Sequence, residues 1–181
     1  VLSKDPQRDF RLLVAGAGPQ SEWLRDEGEK HAPGKVRMLG HLDKETLADY
    51  YANADVFVHP NPREPFGIAP LEAMASGVAT VAPNAGGILS YATNENAWLV
   101  EPTAEAFASA IREAVDDPEL RNRKIAKALT TARENTREIS TDRLFAAYDE
   151  IYEHFQSHKE LFVDVEAAKD FDFVHEVLSD D

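Results

Sequence analysis

The sequence contains no cysteine. Disulfide bridges and thiolate metal sites are therefore excluded, and the composition fits a protein of the cytoplasm. The sequence also lacks an apolar run long enough to cross a membrane as a helix. Hydrophobic residues nevertheless make up 43% of the chain, which is enough for one globular domain with a core of its own.

Basic residues are few, with 19 Lys and Arg against 33 Asp and Glu, for a net charge of −14. A surface of this charge repels nucleic acid and anionic lipid, so we expect no nucleic-acid partner. The scattered His, Asp and Glu residues show no metal-ligand spacing, and we expect no metal. A phosphate ligand would have to be held locally, by backbone amides or by a few well-placed cations.

Short β-branched runs alternate with longer amphipathic stretches along the chain. This alternation predicts an α/β fold: a doubly wound, Rossmann-like parallel sheet with helices on both faces. The predicted strands are Phe10–Ala15, Lys35–Leu39, Asp55–His59, Val78–Ala82 and Ala97–Val100. The predicted helices are Gln20–His31, Lys44–Asn53, Ala69–Ser76, Ala104–Asp116, Glu119–Asn135 and Thr141–Gln156.

The start of the chain does not fit a complete doubly wound sheet. Residues 1–6 look like the end of a helix, and the first strand–helix unit has no counterpart. In the strand order 3-2-1-4-5-6 that unit supplies a central strand, so its absence would leave two strand edges facing a gap. We therefore predict a domain over residues 1–157 that lacks its first unit. Residues 158–181 are predicted to form an acidic helix or tail.

The most informative segment runs from residue 61 to residue 77, after a predicted strand and into a predicted helix. The turn Phe66-Gly67-Ile68 would place free amides at the helix N-terminus, where the helix dipole favours an anion such as a diphosphate. Glu64 and Glu72 flank this turn, about 12 Å apart if the segment were fully helical. That separation is too long for a glycosidase pair. It suits two carboxylates that hold the hydroxyl-bearing ends of one elongated anion, a layout that a nucleotide sugar has.

This segment resembles the E-x7-E motif of retaining family 4 glycosyltransferases with the GT-B fold. The sequences Leu12-Leu13-Val14-Ala15-Gly16-Ala17-Gly18-Pro19 and Val36-Arg37-Met38-Leu39-Gly40-His41-Leu42 resemble the family's second and third strands with their loops. The sequences Tyr50-Tyr51-Ala52-Asn53-Ala54-Asp55-Val56-Phe57-Val58 and Gly86-Gly87-Ile88 resemble flanking segments of the motif. The resemblance covers roughly residues 8 to 150, and together these pieces are much more specific than any one of them.

The resemblance implies the C-terminal, nucleotide-sugar-binding half of a GT-B fold and a hexosyltransferase-type activity that retains anomeric configuration. Glu64 is then the catalytic candidate facing the transferred sugar, and Glu72 the residue that binds the ribose. The other candidate donor-binding residues are Phe66, Gly67, Ile68, Leu39, Gly40, His41, Gly18 and His59. No cofactor is implied apart from the nucleotide-diphosphate sugar that serves as substrate.

The resemblance also implies what this chain does not contain. The family's phosphate-binding Arg and Lys belong to the first strand–helix unit, and its acceptor-binding domain lies N-terminal to this region. We therefore expect the isolated chain to be inactive without that domain. The expected partners are that domain and an acceptor sugar or lipid, and the domain could also hold the protein at the inner membrane surface.

Several alternatives stay open. A non-catalytic nucleotide-binding module could share the fold, as could an epimerase of nucleotide sugars or an enzyme resembling glycogen synthase. Gly16-Ala17-Gly18 after a strand also suggests a dinucleotide-binding oxidoreductase. Against it, Ser21 stands where the third glycine belongs, and Leu39-Gly40 occupies the place of the expected acidic residue. The glycine pair Gly86-Gly87 would either admit a ligand to the backbone or form a tight turn.

Overall fold

A computed structural model describes residues 1–5 and 8–159 of the chain. The chain divides into two compact units, Val1–Arg133 and Glu134–Asp181. Most of the predicted acidic C-terminal segment lies outside the described residues, so its structure stays a prediction. In the described part of the chain, no helix is both long enough and apolar enough to span a membrane.

Strands and helices alternate through the first unit, as the sequence predicts. The strands are β1 (Leu12–Ala15), β2 (Val36–Gly40), β3 (Val56–Val58), β4 (Ala79–Pro83) and β5 (Trp98–Val100). The helices are α1 (Ser21–His31), α2 (Lys44–Ala52), α3 (Ile68–Ala75), α4 (Ala104–Asp116), α5 (Pro118–Glu134) and α6 (Arg137–Ser157). Two short 3-10 helices are Leu2–Lys4 and Gly87–Ser90.

All the strand ladders are parallel, which confirms the predicted α/β class. They form two sheets: β1 pairs with β2 from Leu12↔Val36 onward, and a second sheet has the order β3-β4-β5. Among the described residues, β1 has a strand on one side only, and so does β3. Leu12 and Leu13 point to opposite faces of β1, and each is 47% exposed. Whether the domain lacks a first strand–helix unit stays a prediction.

The core lies around the second sheet. Strand β4 is buried along its whole length, as expected for a central parallel strand covered on both faces. One buried cluster includes Met74, Ile88 and Ala97, and the other includes Val81 and Trp98. Helix α4 packs against β4 and β5, so the second sheet is covered by helices, and the loops that follow its strands project from this packed base.

Polar side chains fix the ends of several helices. Asp43 caps α2 by accepting from the Thr46 amide at 2.8 Å, and Thr103 caps α4 by accepting from the Ala106 amide at 3.2 Å. Gly77 has φ +76° just after α3, a left-handed conformation suited to glycine. These features stop each helix where a strand or loop must begin.

A buried lysine joins α5 to the last strand. Lys124 is 8% exposed, and its ammonium group donates to the carbonyl oxygens of Asn94 and Ala97, the latter at 3.0 Å. The same group lies 4.9 Å from the centre of the Trp98 ring. The indole of Trp98 in turn donates to Glu113 Oε2 at 2.8 Å. Lys124 therefore satisfies two backbone acceptors that would otherwise be unpaired next to β5.

Candidate functional site

The site is built on the turn between β3 and α3. Gly67 is the residue that precedes α3 and has the left-handed conformation φ +95°, ψ +63°, with no side chain to cap the helix. The first amides of any helix have no partner within it, and Pro70 is the third helical residue, so it contributes no donor. The neighbouring residue Ile68 is 65% exposed. Ala69 is exposed as well, whereas Gly67 itself is buried. The amides placed to meet an anion are therefore those of Ile68 and Ala69, and anion binding here stays a prediction.

Glu64 is held on the N-terminal side of this turn. Its Oε2 accepts from Asn61 Nδ2 at 3.2 Å, while Asn61 Oδ1 accepts from the Arg63 amide at 3.0 Å. His59 Nε2 lies 3.9 Å from the same carboxylate oxygen. The Glu64 side chain keeps 30% of its surface exposed, so it is positioned by its neighbours and still accessible to a ligand.

His59 lies at the carboxyl end of β3, where the sequence predicts the crevice. Burial lowers the pKa of its imidazole, and the charge of Glu64 opposes that shift without overcoming it. The ring is therefore neutral near pH 7. In the part of the chain that the structure describes, its Nε2 is buried and has no hydrogen-bond partner. A neutral His59 leaves the Glu64 carboxylate free to accept from hydroxyl groups.

Glu72 lies on the other side of the turn, on the second turn of α3, and its side chain is exposed. Burial, followed by the charge of Glu72, raises the pKa of the Tyr51 phenol on α2. The two carboxylates therefore flank the open amides along the chain. Glu64 approaches from a loop, and Glu72 is carried by the helix itself.

The glycine pair lies in the tight turn from β4 into the 3-10 helix Gly87–Ser90, one of the two roles that the sequence left open, and Gly86 has φ +83° there. The Gly87 amide donates to the Glu64 carbonyl oxygen at 2.7 Å. A Cβ on Gly87 would lie 1.7 Å from the Pro65 carbonyl oxygen, and one on Gly86 would lie 3.0 Å from the Pro62 carbonyl oxygen. The two glycines thus let the loop after β4 pack directly on the Glu64 loop, backbone against backbone.

Tyr91 completes the site, and sequence reasoning missed it. Its hydroxyl donates to the Gly67 carbonyl oxygen at 2.5 Å, and its ring lies 5.2 Å from that of Phe66. Tyr91 is 8% exposed, whereas Phe66 is 42% exposed. Burial, followed by the charge of Glu64, raises the pKa of the Tyr91 phenol far above its ordinary value, so the hydroxyl stays protonated. The signal that the sequence offered for Tyr91 was an aromatic residue four positions after the second glycine of the pair.

The remaining candidates lie at the carboxyl ends of β1 and β2. The Gly16 amide donates to the Gly40 carbonyl oxygen at 2.7 Å, which brings the loops after these strands together. Gly40 has φ +70°, and Leu39 and His41 flank it. Gly18 donates its amide to Ser21 Oγ at 3.0 Å, at the start of α1. These residues form a second group, separate in sequence and in sheet from the Glu64 turn.

No group of three or more His, Cys, Asp or Glu side chains could hold a metal ion within residues 1–5 and 8–159. Backbone amides at the start of α3 and the dipole of that helix are the features of the turn that favour an anion. Arg63, next to Glu64, is exposed and is a nearby cation.

Comparisons with known proteins identify the family of the chain. The family described as "Glycosyl transferases group 1" matches residues 1–131. A glycogen synthase of Mycobacterium tuberculosis is 35% identical over 120 residues, which cover 65% of this chain and 29% of that protein. The chain thus spans about a third of the length of the curated relatives it matches.

Solved structures give the same result for the fold. Sucrose-phosphate synthase from Thermosynechococcus elongatus superposes with a TM-score of 0.73 at 27% identity, covering 84% of this chain and 41% of that one. The C-terminal domain of a glycosyl transferase group 1 family protein from Francisella tularensis superposes with a TM-score of 0.61 at 23% identity. That match covers 74% of this chain and 73% of the other, so the shared fold is that of a C-terminal domain.

Proposed function

The chain belongs to the group 1 glycosyl transferases, and from that premise we propose that it binds the nucleotide-sugar donor of a retaining glycosyltransferase. The observation that carries the proposal is the Gly67 turn, after which the exposed first residues of α3, Ile68 and Ala69, lie between the Glu64 and Glu72 carboxylates along the chain. An elongated ligand with hydroxyls at both ends and a diphosphate between them fits that order of groups. A net charge of −14 makes such local binding of phosphate necessary.

Each residue has a distinct role in the proposed complex. The diphosphate lies over the amides of Phe66, Gly67 and Ile68, and Glu72 accepts from the ribose hydroxyls. Glu64 accepts from the transferred sugar, held in place by Asn61. In the Michaelis complex these contacts fix the anomeric carbon, which lowers the entropic cost of reaching the transition state.

The residues at the ends of β1 and β2 are proposed to lie beside the nucleotide base and its ribose. Gly18, Gly40 and the backbone of Leu39 and His41 would make these contacts, with His59 nearer the sugar. Gly16 and Gly40 join the two loops through a backbone hydrogen bond, which supports a shared binding surface there.

In the proposed reaction the bond between the anomeric carbon and the diphosphate oxygen breaks. An acceptor hydroxyl oxygen forms the new glycosidic bond on the same face, and its proton leaves with the diphosphate. The helix amides offset the charge that develops on the departing diphosphate, aided by cations from outside this chain. The acceptor, a sugar or a lipid, would come from a separate N-terminal domain, and the site would need no metal.

Calorimetric titration of the chain with UDP, GDP and ADP tests the proposal, with NAD as the control ligand. We expect one nucleoside diphosphate to bind and NAD not to bind. Binding of NAD in preference to all three would instead favour a dinucleotide-binding oxidoreductase. Failure of a folded chain to bind any diphosphate would contradict the proposed function.

Two variants separate the roles of the carboxylates. Glu72→Ala should weaken binding of the free nucleotide by about ten-fold, because it removes charge-assisted hydrogen bonds to the ribose. Glu64→Ala should leave free nucleotide binding unchanged and weaken only the nucleotide sugar. Glu105→Ala, an exposed glutamate at the start of α4, serves as the control. Equal losses for free nucleotide in the Glu64 and Glu72 variants would refute these assignments.

Catalysis is tested separately with the chain joined to an acceptor domain. Turnover that disappears in the Glu64→Ala variant would support an enzyme, with the sugar product retaining its anomeric configuration. Donor binding without turnover in the joined protein would favour the non-catalytic binding module. We propose a cytoplasmic enzyme, with any contact to the inner membrane surface made through the acceptor domain.

A further inference from the structure

Tyr91 makes a contact with the helix N-terminus that the proposed donor contacts do not explain. The residue follows the 3-10 helix Gly87–Ser90 and is part of the buried core with Met74 and Ile88. Its hydroxyl leaves that core and donates to the Gly67 carbonyl oxygen at 2.5 Å. A buried tyrosine could satisfy its hydroxyl in many ways, and this one ends on the residue that precedes α3.

The Gly67 carbonyl belongs to the same peptide group as the Ile68 amide. A peptide group is planar and trans, so its carbonyl and its N–H point in opposite directions. Fixing the Gly67 oxygen toward the Tyr91 hydroxyl therefore fixes the Ile68 N–H away from the core. The Ile68 side chain is 65% exposed, so this end of α3 faces outward.

The peptide group needs such an anchor because of the residue that precedes it. Gly67 has φ +95°, and glycine moves between such conformations more readily than other residues. The Leu71 amide also donates to the Gly67 oxygen, but at the longer distance of 3.3 Å. Phe66 packs its ring on Tyr91, so the tyrosine touches the turn at two consecutive residues.

Tyr91 is itself held in place by the rest of the domain. Its carbonyl oxygen accepts from Asn96 Nδ2 at 3.0 Å, and the same amide nitrogen donates to Thr131 Oγ1 of α5 at 2.9 Å. Asn96 is 6% exposed, and its Oδ1 accepts from the Thr93 amide at 2.8 Å. Hydrogen bonds thus tie the Tyr91 backbone to α5 through Asn96, and a separate hydrogen bond ties the Tyr91 hydroxyl to the turn.

We propose that Tyr91 is a positioning residue for the diphosphate of the donor, a role that rests on the proposed function. Its hydroxyl holds the Gly67–Ile68 peptide with the Ile68 N–H directed at the ligand. By donating to the Gly67 carbonyl, the hydroxyl also polarises the peptide. The bond to the carbonyl and the bond from the Ile68 N–H to the ligand then strengthen each other. Tyr91 touches no ligand and acts only through the amide that does.

Tyr91→Phe tests this role because it removes the hydroxyl and keeps the ring against Phe66. The ligands are whichever of UDP, GDP and ADP the wild-type chain binds best, and the nucleoside with the same base. We expect the variant to bind the diphosphate about ten-fold more weakly and the nucleoside with unchanged affinity. Tyr148→Phe, at a tyrosine that is 59% exposed on α6, is the matched control and should change neither affinity.

The comparison of the two ligands distinguishes positioning from general support of the fold. Equal weakening of both ligands, with a lower melting temperature, would show a merely structural hydroxyl and overturn the proposal. Unchanged diphosphate affinity in a variant of wild-type stability would overturn it as well. If the wild-type chain binds no diphosphate, the proposed function fails first and the role of Tyr91 fails with it.

Discussion

Replacing Gly87 by Ala tests the packing of the two loops that form the site. An added Cβ would lie 1.7 Å from the Pro65 carbonyl oxygen, 2.3 Å from its carbonyl carbon and 2.8 Å from the Phe66 nitrogen. All three are backbone atoms, so no side-chain rotation relieves the clash. The loops must separate by more than about 1 Å to reach an ordinary contact distance.

That separation has a calculable cost. It stretches the 2.7 Å bond from the Gly87 amide to the Glu64 oxygen beyond useful length, for about 1 kcal/mol. Overpacking of a well-packed site adds about 1–3 kcal/mol. The variant should therefore lose about 2–4 kcal/mol in free energy of unfolding. For a chain of this size that corresponds to a melting temperature lower by about 4–16 °C.

Calorimetric melting of the variant against the wild type measures this loss, with Gly18→Ala as the control. A Cβ on Gly18 would meet no atom within 4 Å, so that variant should melt within about 2 °C of the wild type. The Gly87 variant should also bind the diphosphate more weakly, because Glu64 and Phe66 move with the loop. A Gly87→Ala protein with wild-type stability would refute the close packing of these loops.

Three further predictions concern residues outside the turn. Lys124→Met should lower the free energy of unfolding by about 2–3 kcal/mol in chemical denaturation, because two buried carbonyls lose their donor. The control Lys127→Met, at an exposed position on the same helix, should lower it by less than about 0.5 kcal/mol. Asp43→Ala should lower the melting temperature at pH 7 through loss of the α2 cap, and a variant as stable as wild type would contradict that cap. Burial holds the folded pKa of His59 below its ordinary value, so the unfolded chain binds the proton first and stability should fall as pH drops below about 6.5. Denaturation from pH 8 to pH 5 measures this slope, and His59→Asn should make it shallower; equal slopes would show that His59 does not contribute.

The sequence predicted the strands and helices because each leaves a local pattern. Every predicted strand and helix is present, and the ends differ by a few residues: α3 begins at Ile68 instead of Ala69, and α6 at Arg137 instead of Thr141. The earlier start of α6 follows from Thr136, whose hydroxyl accepts from the Ile139 amide. Caps and glycines act within one turn, so sequence alone can reveal them.

The candidate site was only partly predictable, because several of its contacts join residues that are far apart in the sequence. The Glu64-to-Glu72 segment is continuous, and its order of groups could be read directly. The contact of Tyr91 with Gly67 joins residues 24 positions apart, and that of Gly87 with Pro65 depends on how two loops meet. No local pattern encodes such a meeting. It depends on the stagger of β3 and β4, which only the folded sheet defines.

The division into two sheets predicts how fast different parts of the domain exchange their amide hydrogens. Each strand pairing closes within a single strand–helix–strand unit, so sheet formation requires only short loop closures. Among the described residues no ladder joins β1 to β3, so we expect the two sheets to exchange their amide hydrogens independently. Amide hydrogen exchange should therefore show two classes of protection, with β4 exchanging last. The amides proposed to receive the diphosphate should belong to the slower half, whereas the loops proposed to receive the base should belong to the faster one.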